Sequence, residues 1–494
     1  MMKLLFTSLL LCMLSADVYE GYMLYTPGGG GGSNTTYYKD WEGNTVNSWS
    51  HSNGPASMPY LLPGEESGVE NSILYYPCRV SNPTMDSGGV GGKIIIYNWD
   101  GEILYTYNVS STYYQHHHDI AVLPNGNFIV VAWERLYSTS WQALGCTDVN
   151  NSLNQMWATI FIEVEPTLDG RTESYDDGDD SEVVWEWKIT DHLVQNVSST
   201  YSSTYGQIGD HPELLNVNQG NVGSDGGPGN QSNGDWIHVN ALDYNADLDQ
   251  LVFSSRFMDE IYIIDHSTTT EEAASHSGGN SGKGGDFLYR WGNPDNYDRD
   301  VNGYDILGDQ HSVNWIPDGY PGAGNLILFN NYHSGSTGAV LEFETPLQED
   351  GSYELIGNNP YGPASWTWIH NNVSTQMQGG AFRLPNGNTF ITDADDATII
   401  EVTSVGNIVY EYEYPSNQAM IARASKYPPD FFDSAYTLGD INDDGVLNVL
   451  DVISLVNIIL GSADSTPAAD MNQDGVITIL DIILLINSIL GIGR

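Results

Sequence analysis

Three histidines occupy one position of a repeated phrase. The chain reads His-Asp-Ile-Ala-Val-Leu-Pro-Asn-Gly-Asn from His118 and His-Ser-Val-Asn-Trp-Ile-Pro-Asp-Gly from His311. It reads Gly-Gly-Ala-Phe-Arg-Leu-Pro-Asn-Gly-Asn from Gly379, again with proline at the sixth place after the first residue. The same spacing links Ser57 to Pro63, and His238 runs without proline into Asp243-Tyr244-Asn245. A lone histidine is ordinarily a satisfied core or surface residue. Three in one register converge wherever repeats surround an axis, and clustered imidazoles suit a metal ion, an anion or nucleophilic catalysis. Arg256, in Phe253-Ser-Ser-Arg, follows the strand expected after His238, and only nine arginines occur in the chain. A guanidinium among imidazoles in an acidic chain would make a local cationic well for a small oxyanion such as sulfate or phosphate.

A second pattern lies near the C-terminus. Asp440-Ile-Asn-Asp-Asp-Gly-Val-Leu-Asn-Val-Leu-Asp451 and Asp470-Met-Asn-Gln-Asp-Gly-Val-Ile-Thr-Ile-Leu-Asp481 are offset by 30 residues. Side-chain oxygens fall at positions 1, 3, 5, 9 and 12: Asp440, Asn442, Asp444, Asn448 and Asp451, then Asp470, Asn472, Asp474, Thr478 and Asp481. Gly445 and Gly475 stand where such a loop turns sharply, and the carbonyls of Val446 and Val476 supply position 7. Hard oxygen donors at this spacing predict Ca2+. An apolar helix ending in Ile-Leu-Gly follows each loop, so 438–494 reads as a duplicated small domain.

The elements that position the histidines are strands. Runs such as Lys93-Ile-Ile-Ile-Tyr97, Phe128-Ile-Val-Val131, Leu326-Ile-Leu-Phe329 and Ile399-Ile-Glu-Val402 alternate with clusters of Gly, Asn and Ser, which predicts an all-β chain. Ser57, His118, His238, His311 and Gly379 are separated by 61, 120, 73 and 68 residues. The 120 is close to two units, so six copies fit, with one degenerate or replaced by an insertion. A period of this length filled by short strands predicts a six-bladed β-propeller over 17–429, followed by the helical calcium-binding domain. Trp41-Glu-Gly-Asn, Trp99-Asp-Gly-Glu and Val405-Gly-Asn read as outer-strand hairpins turning at glycine. The polar stretches 203–235 and 266–285 read as insertions or loops.

Together, His117-His118-Asp119, Asp235-Trp-Ile-His-Val-Asn240, Ser254-Ser-Arg256 and Gln310-His311 on a repeated β framework resemble the bacterial arylsulfate sulfotransferases. The likeness extends over most of 20–425. It implies a six-bladed propeller moving a sulfuryl group from a phenolic sulfate donor to a phenol acceptor without a nucleotide donor. His311 would be the transiently sulfated nucleophile, with His118, His238 and Arg256 holding the sulfuryl oxygens. The sequence departs from that family in having Ser312 after Gln-His and a third histidine, His116. Because neighbouring strand residues face opposite ways, one of His117 and His118 should face the channel, and the proline register favours His118. The C-terminal pair of loops resembles a type I dockerin, which implies a cohesin-like protein partner, with Val449-Leu450 and Ile479-Leu480 at the tenth and eleventh loop positions. Two other readings remain open for the propeller: a noncatalytic binding module, and a metalloenzyme ligated by the three histidines.

Composition bounds the partners and the compartment. The 494 residues carry 15 Lys+Arg against 64 Asp+Glu, a formal charge of −49, which repels phosphate backbones and anionic lipid surfaces. Nucleic acid and membrane surface are therefore poor partners. Residues 1–16, with Lys3 before the run Leu4–Ser15 and the small Ala16, read as a secretory signal, and no later apolar stretch is long enough to span a bilayer. The expected location is extracellular or periplasmic, where Cys78 and Cys146, the pair left once Cys12 departs with the signal, would form a disulfide. Gly279-Asn-Ser-Gly-Lys-Gly284 lacks the phosphate-loop spacing.

Overall fold

The computed structural model describes residues 18–494 except 65–67, 176–181, 202, 227–230, 300–305, 336, 374, 417, 433–437, 443–446, 464–465, 470, 473–476 and 491–494. The signal expected over 1–16 and the loop donors Asp444, Val446, Asp470, Asp474 and Val476 lie outside the described residues. The chain divides into two compact units. The first holds residues up to Tyr60 with Leu74–Tyr97 and Gly101–Pro428, and the second holds Leu61–Ile73, Asn98–Asp100 and Pro429–Arg494.

The first unit is a six-bladed propeller. The strands Tyr114–Val122, Val239–Asn245, His311–Trp315, Gly380–Arg383 and Ala419–Tyr427 each begin a blade and touch their counterparts in the next blade, so they line the axis. Tyr60 opens the corresponding strand of the remaining blade. Because blades stack on both faces, second and third strands are apolar throughout instead of alternating. Phe128 to Val131 and Ile261 to Ile264 are each 0 % exposed. The expected outer hairpins are present, with Gly43, Gly101 and Gly406 at φ +88°, +85° and +85° in their turns. Thr172–Ser174 pairs in parallel with Ile103–Asn108 as an extra edge strand.

The sixth copy lies elsewhere than the 120-residue gap suggested. Between His118 and His238 the chain completes one blade and then makes 3-10 turns and a short parallel pair, Leu193–Val194 with Leu215–Asn216. The sixth innermost strand is Ala419–Tyr427, which pairs antiparallel with Tyr22–Gly29 near the other end of the chain, Tyr25 opposite Ala424. Ala422 stands six residues before Pro428. That is the repeat's own spacing.

The expected disulfide is absent. Cys78 and Cys146 are both free and buried. Cys78 faces Lys93 across a strand pair, and burial pushes its thiol up to about 12. Cys146 follows the short helix Ser138–Ala143 and packs in a different cluster with Trp141, Leu193 and Trp236. An even cysteine count in an exported chain indicates a redox environment, but proximity is set by the blades, which bury each thiol in its own apolar surroundings.

In the second unit, helices Val449–Ile459 and Ile479–Leu490 pack around Leu455, Ala469 and Leu485. Asn448 caps the first, accepting from Leu450 N–H at 2.8 Å, while the Asp451 carboxylate accepts from Asn448 N–H at 2.9 Å. Among the described residues no helix is long and apolar enough to cross a membrane.

Candidate active site

The innermost strands share an irregularity that presents the histidines. Pairing slips between His116 and Ile120, between Val239 and Ala241, between His311 and Asn314, and between Tyr25 and Pro27 opposite the closing strand. Such bulges re-aim side chains. At or beside them sit left-handed residues that are not glycine: His118 at φ +53°, His238 at +51° and Ser312 at +58°. This conformation costs of order 1–3 kcal/mol per residue and persists where the surrounding structure holds it. Four blades therefore break the pairing of the inner strand at this point, and in three of them a left-handed residue stands at or beside the break.

This changes the expectation for the His117-His118 pair. Alternation would send the two rings to opposite faces, but the bulge lets both enter one cluster, with Nδ1 to Nδ1 at 3.1 Å. His117 stacks on Trp133 at 4.0 Å, and the His118 and His238 rings meet edge to face at 4.7 Å. The glycine-rich turn Ser87–Gly92 lies against these rings. A Cβ on Gly89 would come within 2.0–2.3 Å of His118, and one on Gly91 within 2.2 Å of His116. His116 is structural in its contacts, its Nδ1 accepting from Gly92 N–H at 2.9 Å.

His238 is oriented by a hydrogen bond from its Nδ1 to Asp235, whose other oxygen accepts from Trp133 Nε1 at 3.0 Å. His311 is oriented differently. Its Nδ1 lies 2.8 Å from Asn331 Oδ1 and 2.9 Å from the Asp309 carbonyl, two acceptors, so the proton sits on Nδ1. Nε2 consequently carries the lone pair, and it accepts from Gln378 N–H at 3.2 Å. The Asn331 amide is fixed in turn by the carbonyls of Thr375 and Gln378 at 3.1 and 2.9 Å. Burial pushes the His311 ring down to about 3, with Arg256, His238 and Arg423 adding charge repulsion. His118 is also held well below the usual imidazole range by burial, then by His238, His117, His311 and Arg423. The four residues singled out in the sequence thus belong to one electrostatic cluster.

A cavity of about 460 Å3 opens beside it, lined by Gly88, His238, Arg256 and Phe257 together with Asp235, Asp259 and Asp309. His118 and His311 are outside this lining, each about 2 % exposed. The cavity is not the cationic well that the scarcity of arginine suggested. Three carboxylates share it with one guanidinium, and Arg256 donates to Asp309 at 2.6 Å. Arg256 nevertheless keeps Nε buried without a hydrogen-bond partner, and an unsatisfied buried donor is a place for an incoming acceptor.

Arg423 belongs to the sixth repeat, on the strand that closes the ring against Tyr22–Gly29. It occupies the bulge of the closing strand, 2.6 Å from Asp119 Oδ2 and 2.6 Å from Ser57 Oγ, while Tyr60 donates to Asp119 Oδ1 at 2.7 Å. Both ions are buried, at 4 % and 0 % side-chain exposure. Removing one partner of such a pair leaves an uncompensated buried charge. Arg423→Ala is therefore expected to cost about 3–5 kcal/mol of stability, read from chemical denaturation, with Arg423→Lys recovering part of it. A loss below about 1 kcal/mol would show the pair to be solvated.

The described donors of the C-terminal loops fit a hard cation. Asp440, Asp451 and Asp481 are 4 %, 0 % and 0 % exposed, yet no Lys, Arg or His occurs between Pro429 and Gly493. Asp451 Oδ1 accepts from Ile441 and Asn442 N–H at 2.9 and 3.2 Å, and Asp481 Oδ1 from Asn472 N–H at 3.4 Å, which draws each loop closed on its twelfth residue.

No curated protein matches the chain. Solved structures similar to it include a protein of unknown function from Bacteroides caccae, 10 % identical, covering 82 % of this chain and 98 % of that one at a TM-score of 0.41. Another is the periplasmic gluconolactonase PpgL of Pseudomonas aeruginosa, 11 % identical, covering 83 % and 99 % at 0.41. Residues 175–344, which hold His238, Arg256 and His311, match the Arylsulfotransferase (ASST) family model. Residues 438–490 match the dockerin type I domain, a family whose members typically bind calcium, so the chain joins a propeller with a segment similar to the arylsulfotransferases to a C-terminal segment similar to type I dockerins.

Proposed function

We propose that the propeller is an aryl sulfotransferase that passes a sulfuryl group from a phenolic sulfate ester to a phenol through a sulfohistidine at His311. The observation that carries this reading is the His311 ring itself. Its Nδ1 is committed to Asn331 and its Nε2 bears the lone pair, and burial keeps it neutral. It lies in one charge cluster with Arg256, whose buried Nε–H awaits an acceptor.

In the first half-reaction His311 Nε2 leaves its contact with Gln378, attacks sulfur and forms an N–S bond while the S–O bond to the aryl group breaks and the phenolate departs. In the second, a phenol oxygen attacks the same sulfur, the N–S bond breaks to restore the Nε2 lone pair, and the phenol proton passes to solvent, matching the proton that the released phenolate takes up. Arg256 offers its guanidinium N–H groups to the sulfuryl oxygens, and His118 and His238 flank the same group. No nucleotide donor is needed, because the ester carries its own leaving group. Asp440, Asn442, Asn448 and Asp451 with Asn472, Thr478 and Asp481, completed by Asp444, the Val446 carbonyl, Asp470, Asp474 and the Val476 carbonyl, would hold two calcium ions that shape the dockerin. Val449 and Leu450, 64 % and 52 % exposed, and Ile479 and Leu480, 67 % and 55 %, form equivalent apolar pairs suited to a cohesin-like partner. The same chain placed at a cell exterior would thus be enzyme and docking module in one.

Turnover of an aryl sulfate in the presence of a phenol acceptor tests the reading directly, and ping-pong kinetics are expected from its two half-reactions. Arg256→Leu should lower kcat/KM by about 100–1,000-fold, the usual effect of removing one oxyanion donor, while leaving the donor-only adduct detectable by mass. Intersecting double-reciprocal lines, the pattern of a ternary complex, or full activity in Arg256→Leu, would overturn it.

A further inference from the structure

A second histidine cluster lies away from the channel. His192 follows the 3-10 turn Ile189–Asp191, while His276 and Asp286 belong to the excursion that links the strands Glu260–Asp265 and Tyr289–Trp291. Their ligand atoms lie within 4.8 Å of one another, the one such group of three among the described residues. His118, His238 and His311 form no comparable set.

The hydrogen bonds of His192 leave a mismatch at its second nitrogen. Nε2 is 2.8 Å from the Ala273 carbonyl, which can only accept, so Nε2 carries a proton. Nδ1 of a neutral ring then offers a lone pair, and it points at Asp286 Oδ1 2.8 Å away, another acceptor. His276 Nδ1 meets the same oxygen at 2.8 Å. Two imidazole nitrogens and one carboxylate oxygen thus converge with positive charge required between them. A ring whose remote N–H is fixed by a backbone carbonyl is the usual setting of a metal-binding histidine.

The surroundings hold the His192 ring in place. It stacks on Trp187 with planes 3° apart, and Trp187 Nε1 donates to the Gly285 carbonyl at 2.8 Å. A Cβ on Gly285 would lie 2.7 Å from His192 Nε2, so glycine lets the chain pass over the ring. His192 is fully buried and Asp286 nearly so, while the His276 side chain is 59 % exposed and gives an entry path.

We propose that His192, His276 and Asp286 bind one divalent transition-metal ion of the zinc type, with water completing the coordination, and that it staples the 266–286 excursion to the turn at 189–192. Two imidazoles and a carboxylate suit zinc better than calcium, which prefers an all-oxygen shell. Seating an ion with Zn–N and Zn–O bonds near 2.0–2.2 Å spreads the three donors by a few tenths of an ångström and displaces the protons now between them. The ion's place is between two loops on the outside of the blade, away from the cavity, so its role is to hold structure.

The test is a Zn2+ titration of the full, untagged chain in calcium-saturated buffer, followed by calorimetry and by the visible spectrum of a Co2+ substitute. One equivalent should bind, with a melting-temperature rise on binding, and His276→Ala and Asp286→Asn should each weaken it at least about 100-fold. His276 is exposed, so its variant should fold; His211→Ala, a histidine elsewhere on the surface, should bind as the parent does. The proposal falls if zinc fails to bind the parent below millimolar concentration, if His276→Ala binds it equally well, or if His238→Ala abolishes the equivalent instead, which would put the ion in the channel.

Discussion

Alanine at position 311 is expected to abolish sulfuryl transfer, with a loss of at least about 10^4-fold in turnover, because the nucleophile carries the covalent step and its neighbours cannot substitute for it. The same variant should yield no protein adduct when mixed with an aryl sulfate alone, whereas the parent should gain one sulfuryl mass on His311. The acidity of the ring sharpens this. An ordinary imidazole loses its nucleophilic lone pair as pH falls through about 6.5, but His311 is depressed to about 3. Its neutral form persists across the whole interval between, so no acid limb assignable to this residue should appear in kcat/KM between pH 7 and 5. Folding shows the opposite dependence: the unfolded chain takes up protons on this ring below about 6.5 while the native chain does not, so its contribution to stability is lost as pH falls from there towards 3. More than about one per cent of parental turnover in His311→Ala, or an adduct mapped to another side chain, would remove the residue from the mechanism.

Stripping calcium should melt the helices Val449–Ile459 and Ile479–Leu490 while leaving the propeller strands in place. Among the described residues the core around these helices centres on Leu455, Ala469 and Leu485 with a shell of partly buried side chains, too little to fold so short a segment alone. Its carboxylates Asp440, Asp451 and Asp481 are buried in a stretch with no basic residue to answer them, and without a cation they repel. Far-ultraviolet circular dichroism of the full chain should lose helical signal in chelator, and limited proteolysis should then cut after residue 430. Protection that survives chelation would show that the helices do not need the ion.

The architecture was legible because strand runs, glycine turns and a proline at fixed spacing all repeat, and because loops built of hard oxygen donors have few other uses. That His118, His238 and His311 come near one another was legible for the same reason, since equivalent positions of a ring converge, whereas Arg256 drew notice only as a scarce cation after the strand that follows His238. What the sequence concealed follows from local departures from that regularity. The slip between His116 and Ile120 sets three residues opposite one and leaves no mark on hydrophobic pattern, so the joint entry of His117 and His118 could not be read from alternation. Asn331 and Gln378 act through a side-chain amide and a backbone N–H, which residue type does not advertise. Arg423 carried a signal that was available, Ala422 six before Pro428, but it lies on a strand that is last in sequence and first in the ring. Asp309 beside Arg256 shows why net charge is a poor guide to a pocket: a rare cation in an acidic chain has many carboxylates to choose from.

The closing strand has a consequence for the life history of the molecule. Ala419–Tyr427 completes the blade begun by Tyr22–Gly29, some four hundred residues earlier, and Arg423 on that strand is the partner of Asp119 and a contributor to the field at His118 and His311. A growing chain therefore displays every histidine before it can arrange them. Until the last blade residue has emerged the cluster proposed to carry the reaction is not assembled, and a cut anywhere before Ala419 leaves the ring without its closing strand.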